Sequence, residues 1–497
     1  MKRFIKRHSI PVFILILILN ACVVQRSPVT GDKRAYGFSW EKGKQMGAQY
    51  AKQVKAQYGI YQNQRIQKYV ENVADNILAH SDLRGPNTPA KIRNSTIHYQ
   101  VLDNPVANAF TLPGGYIYVD RGLLTHLENE AQLAMIIGHE TGHAAARHSA
   151  QQAFNQKLGK LALLGGAIAG QKLLGISGDQ ILSLGSQAEK FLFLKYSRDD
   201  EREADRLGVE YSSKAGYKAK EAVGFFQTLQ RENKQNGRSS VPEWQQTHPD
   251  PGERIQNIDR EAQKWQHKGY KETTVNTDKY MHEIDNMIYG ENPRHGFTRN
   301  GMFYHPDMKF KFPYPKSWTL INTNSMVEIT NSNQNAIIAF EIDSKNNTPQ
   351  ASVNEFLNQQ GVKAGQTNIA SYNGLNGYEA RATGQTQNGT KVKFYLYSVK
   401  YNGHIYRFIC YTPTGKFDQF SSVFKRTADG FNKLTDQSIL NIQPARLHVF
   451  RANRTAPFKS FLPKNLPLSI KPKDVASANQ VSLDETIQKG TWLKVPR

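Results

Sequence analysis

The sequence predicts an α+β chain of several domains, and three observations lead there. Two histidines four residues apart, His139 and His143, sit in a run whose apolar residues recur at helical spacing. Alternating, strand-like runs are dense over residues 301–437 and sparse before them. The last stretch, residues 445–497, reads as strand, helix, helix, strand. A chain of 497 residues is long enough for about three domains, which matches this division.

The elements follow in order. Lys2, Arg3, Lys6 and Arg7 form a basic leader before an apolar run over residues 10–19. That run is too short to span a bilayer and reads as the core of an export signal covering residues 1–21, with an uncleaved anchor as the alternative. It ends in Leu19-Asn20-Ala21-Cys22, which is similar to a bacterial lipobox; the likeness implies lipidation of Cys22. The other cysteine, Cys410, is then expected to be unpaired and buried, and no disulfide framework is implied. A formal net charge of +22 predicts attraction to anionic surfaces such as lipid headgroups or cell-wall polymers. No nucleic-acid motif is present, and export argues against that partner.

Residues 22–268 are expected to form a helix-rich domain with a small sheet. Tyr116-Ile117-Tyr118-Val119 follows a Pro-Gly-Gly turn and reads as a strand, either an ordinary hairpin strand or an exposed edge that pairs with an extended chain. Asn129 is placed to cap a helix through His139-Glu140-Thr141-Gly142-His143. Histidines at this spacing share one helix face and can reach one Zn²⁺, while the glutamate between them can serve as general base toward water. Gly138 and Gly142 each cost helix propensity, on the order of 1 kcal/mol against Ala, which suggests close backbone approach. A second helix begins near Ser197, where Glu201 and Asp205 share a face. Either carboxylate can take the metal while the other fixes a histidine tautomer, although the interleaved Arg198, Arg202 and Arg206 also fit a solvated, salt-bridged helix.

Residues 108–119, His139 to His143 with Arg147-His148, and Ser197-Arg198 with Glu201 to Asp205 together resemble the gluzincin family of HtpX-type and CAAX prenyl-protein endopeptidases, and most of all its soluble periplasmic branch. The resemblance covers about residues 31–263. It implies a zincin fold, one zinc ion per chain held by His139, His143 and Glu201, Glu140 as the base, and Asp205 behind a ligand histidine. It also implies a strand at Gly115, Tyr116 and Ile117 bordering the substrate cleft. His248, in a Pro-bounded loop ahead of a helix starting at Pro251 or Gly252, either fills the fourth metal position as a latch or caps that helix. Arg198 either stabilises an oxyanion or pairs with an acid on its own helix. His148 is expected at the helix surface or in local packing, not as a ligand. Residues 158–185, rich in Gly, Ala and Leu, read as core helices or a flap near the cleft.

Residues 269–300 read as a linker. Residues 301–437 are expected to form a small α/β domain whose opening, Phe312-Pro313-Tyr314-Pro315, resembles domains of the PsbP type. The final 445–497 unit resembles a LysM module, which implies glycan binding and makes peptidoglycan a candidate partner. The function these resemblances imply is that of a lipid-anchored zinc endopeptidase in the bacterial envelope, at the periplasmic face of the outer membrane. Its expected substrates are misfolded or stalled envelope proteins. The alternatives are an assembly factor or holdase with a latent protease, and a cell-wall-tethered binding protein.

Overall fold

The computed structural model describes residues 23–156, 196–236, 244, 248, 251–385, 389–467 and 470–497. The expected export signal, Cys22 and residues 158–185 lie outside them. No helix among the described residues is long and apolar enough to cross a membrane.

The first unit opens with a hairpin, β1 (Val23–Arg26) and β2 (Lys33–Tyr36), followed by α1 (Trp40–Tyr58) and α2 (Gln64–Ala79). Three strands, β3 (His98–Leu102), β4 (Ala109–Leu112) and β5 (Tyr116–Asp120), form a sheet in the order β3-β5-β4. Next come α3 (Glu130–Ala146), α4 (Arg198–Lys214), α5 (Ala222–Asn236), α6 (Pro251–His267) and α7 (Thr277–Ile284).

Helix α3 is the central element, buried on every side. Its start is the predicted one: Asn129 Oδ1 accepts from the Gln132 amide at 2.9 Å. Glu130 in the first turn is buried, yet it accepts hydrogen bonds from Tyr69, Tyr217 and Asn276 and pairs with Lys279. The helix stops at Arg147, which turns left-handed at φ 61°. Arg147 donates to Gln25 and to the Phe38 carbonyl, tying the amino-terminal hairpin to the end of α3. The glycine argument holds for Gly138. A Cβ there would lie 2.9 Å from the Gly208 carbonyl oxygen, so α3 and α4 meet backbone to backbone.

The segment expected as a linker contributes several residues to the core. Tyr280, Met281, Ile284 and Met287 are buried in the same cluster as α2 and α3. Their spacing is that of an amphipathic helix, which α7 is.

The second unit is a seven-stranded antiparallel sheet with both faces covered. A smaller sheet, β6 (Phe297–Arg299), β7 (Met302–His305) and β8 (Phe310–Pro313), precedes it. The strands of the large sheet are β9 (Thr319–Asn322), β10 (Met326–Thr330), β11 (Ile337–Asp343), β12 (Lys363–Tyr372), β13 (Leu375–Gln385), β14 (Lys391–Tyr401) and β15 (His404–Pro413), in the order β12-β13-β14-β15-β11-β10-β9. Helix α8 (Pro349–Leu357) packs Val353 and Phe356 against Phe394, Leu396 and Ile409 on one face. On the other face, α9 (Phe417–Asp429) and Phe303, Phe310 and Phe312 of a smaller sheet pack on Tyr397, Tyr406 and Phe408. Strand β14 therefore buries consecutive residues, as a doubly covered strand must. Cys410 is buried and unpaired, as expected.

The last unit pairs Leu447–Arg451 with Trp492–Pro496 antiparallel, with a 3₁₀ turn at Phe458–Phe461 and the helix Pro472–Ala478 between them. The outer strands and one helix lie where they were expected, a 3₁₀ turn stands in place of the first helix, and the unit is not an independent bead. Leu447 and Ala478 join the core of the first unit. Lys494, fully buried, donates to the Leu127 carbonyl at 2.7 Å and pairs with Glu128 at 2.8 Å. Gln480 bonds Gln132 and the His126 carbonyl. These contacts brace the residues leading into α3.

At the same junction Glu232 of α5 accepts from Ser477. Burial, with Asp474 adding to it, pushes the Glu232 carboxyl up to about 7 from 4.5. A carboxyl raised on folding favours the folded state below its unfolded value and loses that advantage as pH rises through the folded one. Docking of the last unit should therefore weaken between pH 4.5 and about 7, by on the order of 2 kcal/mol after discounting for residual exposure. Glu232→Gln should flatten that slope. Thermal midpoints of the full chain at pH 5 and pH 8 check it.

Candidate metal centre

Helical repeat places His139 and His143 one turn apart on the face of α3 that meets α4. Their Nε2 atoms converge to 3.0 Å. Glu201, four residues into α4, brings its carboxylate 3.5 Å from His143 Nε2 and 3.7 Å from His139 Nε2. His248 completes the cluster, with Nδ1 at 3.0 Å from Glu201 Oε1 and 3.3 Å from His139 Nε2. His248 is held by Trp244, whose ring stacks on it with centroids 4.3 Å apart and whose carbonyl accepts its amide. One donor atom from each of His139, His143, Glu201 and His248 lies within 4.8 Å of the others, and all four residues are buried.

These donors fit a zinc ion. Burial drives His139 well below its ordinary value, with Arg254 adding to it, and holds His143 down at about 3. Both rings are therefore neutral. The outer nitrogen of His139, Nδ1, lies 2.9 Å from Asp205, so it carries the hydrogen and Nε2 carries a lone pair. Neutral nitrogens facing each other at 3.0 Å can share a hydrogen or a cation, and Glu201 and His248 bring two more donors to the same point. Burial pushes the Glu201 carboxyl up, but His248 and Arg254 outweigh burial and keep it well below the carboxylate range. Two neutral imidazoles with a carboxylate and a third imidazole suit Zn²⁺.

Glu140 points at the same spot. The Thr111 hydroxyl lies 2.8 Å from its Oε2 and 2.9 Å from its carbonyl oxygen. Its Oε1 and His248 Nε2 are buried without a hydrogen bond in the protein. Burial raises the Glu140 carboxyl against the pull of His248 and Thr111, which suits a proton acceptor.

Two expectations change. Tyr116 and Ile117 do not lie on an edge: β5 pairs with β3 on one side and β4 on the other, so its main chain is committed. The edge beside the centre is β4. A crevice there is lined by Phe38, Thr111, Pro113, Gly114, His143 and Arg147. Arg198 opens α4 with its side chain exposed. The arginine among the cluster is Arg254 of α6, which sequence reasoning passed over. Its Nε donates to Asp205 Oδ2 at 2.9 Å, Nη2 to Asp205 Oδ1 at 2.6 Å and Nη1 to Glu201 Oε2 at 3.0 Å. His148 is fully buried against His143, the local packing that was one of its two expected places. Tyr196 was also missed; its ring stacks on His143 with centroids 4.0 Å apart. Its position directly before the Ser197 cap was the available signal.

A buried His-Glu-x-x-His helix crossed by a glutamate helix gathers donors that fit a zinc site. Residues 61–262 match Peptidase family M48. The chain is 36% identical to the mitochondrial metalloendopeptidase OMA1 of Bos taurus over 175 residues, 34% of this chain and 32% of that protein. It is 24% identical to the beta-barrel assembly-enhancing protease of Yersinia pestis over 241 residues, 47% of each. The chain thus spans a third to a half of the length of these relatives. Among solved structures, cyanobacterial PsbP from Synechocystis sp. PCC 6803 aligns with 27% of this chain and 91% of its own, at 13% identity and a TM-score of 0.23.

Proposed function

We propose that the chain is a zinc-dependent endopeptidase whose active site is the centre formed by His139, His143, Glu201 and Glu140. The convergence of four buried donors beside a carboxylate whose Oε1 makes no hydrogen bond and lies 3.5 Å from His248 Nε2 carries this reading. Zinc, when bound, supplies Lewis acidity toward water and the scissile carbonyl. The protein's own groups do the rest. Glu140 Oε1 takes a proton from the attacking water and returns it to the leaving amine, while Thr111 holds Oε2 so that Oε1 stays aimed. Asp205 keeps the proton on His139 Nδ1. An extended substrate pairs with β4 in the crevice below Thr111.

The substrates proposed are unfolded or misassembled envelope proteins, in keeping with the name of the Yersinia relative. Anchoring is proposed through a lipid on Cys22 at the outer membrane. The LysM-like reading of the last unit leaves peptidoglycan as a partner, beside the bracing contacts that the unit makes. His248 favours a second reading. As a fourth donor it holds the centre closed, so the resting protein acts as an assembly factor with a latent protease.

Elemental analysis should find one zinc per chain, and the loaded protein should cleave casein. His248→Ala should keep zinc and raise the cleavage rate severalfold. An unchanged rate would remove the latch, and a metal-free wild type would remove the reading itself.

A further inference from the structure

We propose that His148 and Glu203 form a relay that fixes His143 in the one tautomer able to offer Nε2 to a metal. His143 Nδ1 lies 2.8 Å from His148 Nδ1, and His148 Nε2 lies 3.1 Å from Glu203 Oε2. Both rings are fully enclosed, while Glu203 is about a quarter exposed at side-chain level. Asp200 places a second carboxylate oxygen 3.7 Å from His148 Nε2, and Arg206 sits 3.9 Å from the other Glu203 oxygen.

Two imidazole nitrogens at 2.8 Å need one donor and one acceptor. The far end of the relay decides which is which. A carboxylate only accepts, so the hydrogen of a neutral His148 resides on Nε2, facing Glu203. His148 Nδ1 then carries a lone pair, and His143 Nδ1 must donate to it. That leaves His143 Nε2 bare and directed at His139 Nε2 and Glu201. The opposite arrangement would place a hydrogen on His143 Nε2 and block the ligand position. The two metal histidines are thus oriented by different means: His139 by Asp205 directly, His143 through a second imidazole.

The local fold explains why His148 can serve. Five residues on from His143, a continued helix would point it roughly 140° away. The left-handed turn at Arg147 breaks the helix and brings His148 back against the His143 ring. Tyr196, stacked on the face of that ring, limits its rotation.

The proposal rests on the zinc reading, and the test separates the two. Zinc affinity is measured by chelator competition on the full chain, and tautomers by ¹⁵N shifts of the metal-free protein. Partners of this kind contribute about 10- to 100-fold in metal affinity. His148→Leu, which cannot accept, should weaken zinc binding by about that factor and mix the His143 tautomers. His148→Gln, which can accept from His143 and donate to Glu203, should restore most of the affinity. Glu203→Ala, at a partly exposed position, tests the outer half should His148→Leu fail to fold. Wild-type zinc affinity in folded His148→Leu or in Glu203→Ala, or a hydrogen on His143 Nε2 in the wild type, would overturn the relay. If the wild type binds no zinc, the zinc reading fails, while the ¹⁵N shifts still decide the relay.

Discussion

Glu140→Gln is expected to keep zinc and to lose peptide hydrolysis by on the order of 10³-fold, the range a positioned general base contributes. The substitution preserves shape, and a glutamine can still accept from the Thr111 hydroxyl, so the local packing should survive. Glu140 is not among the four donors that converge, so metal content should not fall. What disappears is the proton acceptor at Oε1. Burial raises the Glu140 carboxyl, so the acidic limb of the wild-type rate profile should lie above the ordinary carboxylate range, with activity falling as pH drops through it. Casein cleavage and elemental analysis of the same preparation check both halves. Retained hydrolysis would remove Glu140 from the mechanism. The variant also separates the two functional readings: complementation of an envelope defect by Glu140→Gln would favour the assembly-factor role, and failure would favour proteolysis.

How much of this site could be read in the sequence depends on the range of the interaction concerned. His139, Glu140 and His143 are legible because helical repeat is local, and Glu201 and Asp205 because they repeat the same spacing on a second helix. Which of those two acids faces the ligand nitrogens depends on how α3 crosses α4. That crossing is set by the contact of Gly138 with Gly208, seventy residues apart. The edge assignment failed for the same reason. Tyr116 to Val119 reads correctly as a strand, but its central place follows from parallel pairing with His98–Leu102, which no local pattern marks. Strands β12 and β13 give no clear apolar alternation because their residues are mostly small or polar, and β12 is largely exposed. The readable signal was Asn373-Gly374, both at positive φ, which is the two-residue turn a hairpin needs.

Arg254→Met is expected to destabilise the metal-free protein by about 3–5 kcal/mol, the cost of breaking a buried ion pair by removing one partner. Arg254 was the least legible member of the site, one of 64 lysines and arginines, marked only by lying in the first turn of the helix after His248. Its guanidinium spans two acids at once and lies over the Phe226 ring, 4.6 Å from the centroid. Methionine fills much of the volume but leaves the Asp205 and Glu201 carboxylates buried without their shared cation. Arg254→Lys keeps the charge but not the planar fork, so an intermediate loss is expected. Arg254→Met combined with Asp205→Asn should recover part of the loss, because one of the stranded charges is gone. Urea unfolding of the four metal-free proteins measures this. A loss below about 1 kcal/mol in Arg254→Met would place the pair in the weak, surface-like class. The consequence reaches the ligands, because an Asp205 left without Arg254 is driven to protonate. A protonated Asp205 can donate to His139 Nδ1, and the hydrogen then moves to the nitrogen that the metal requires.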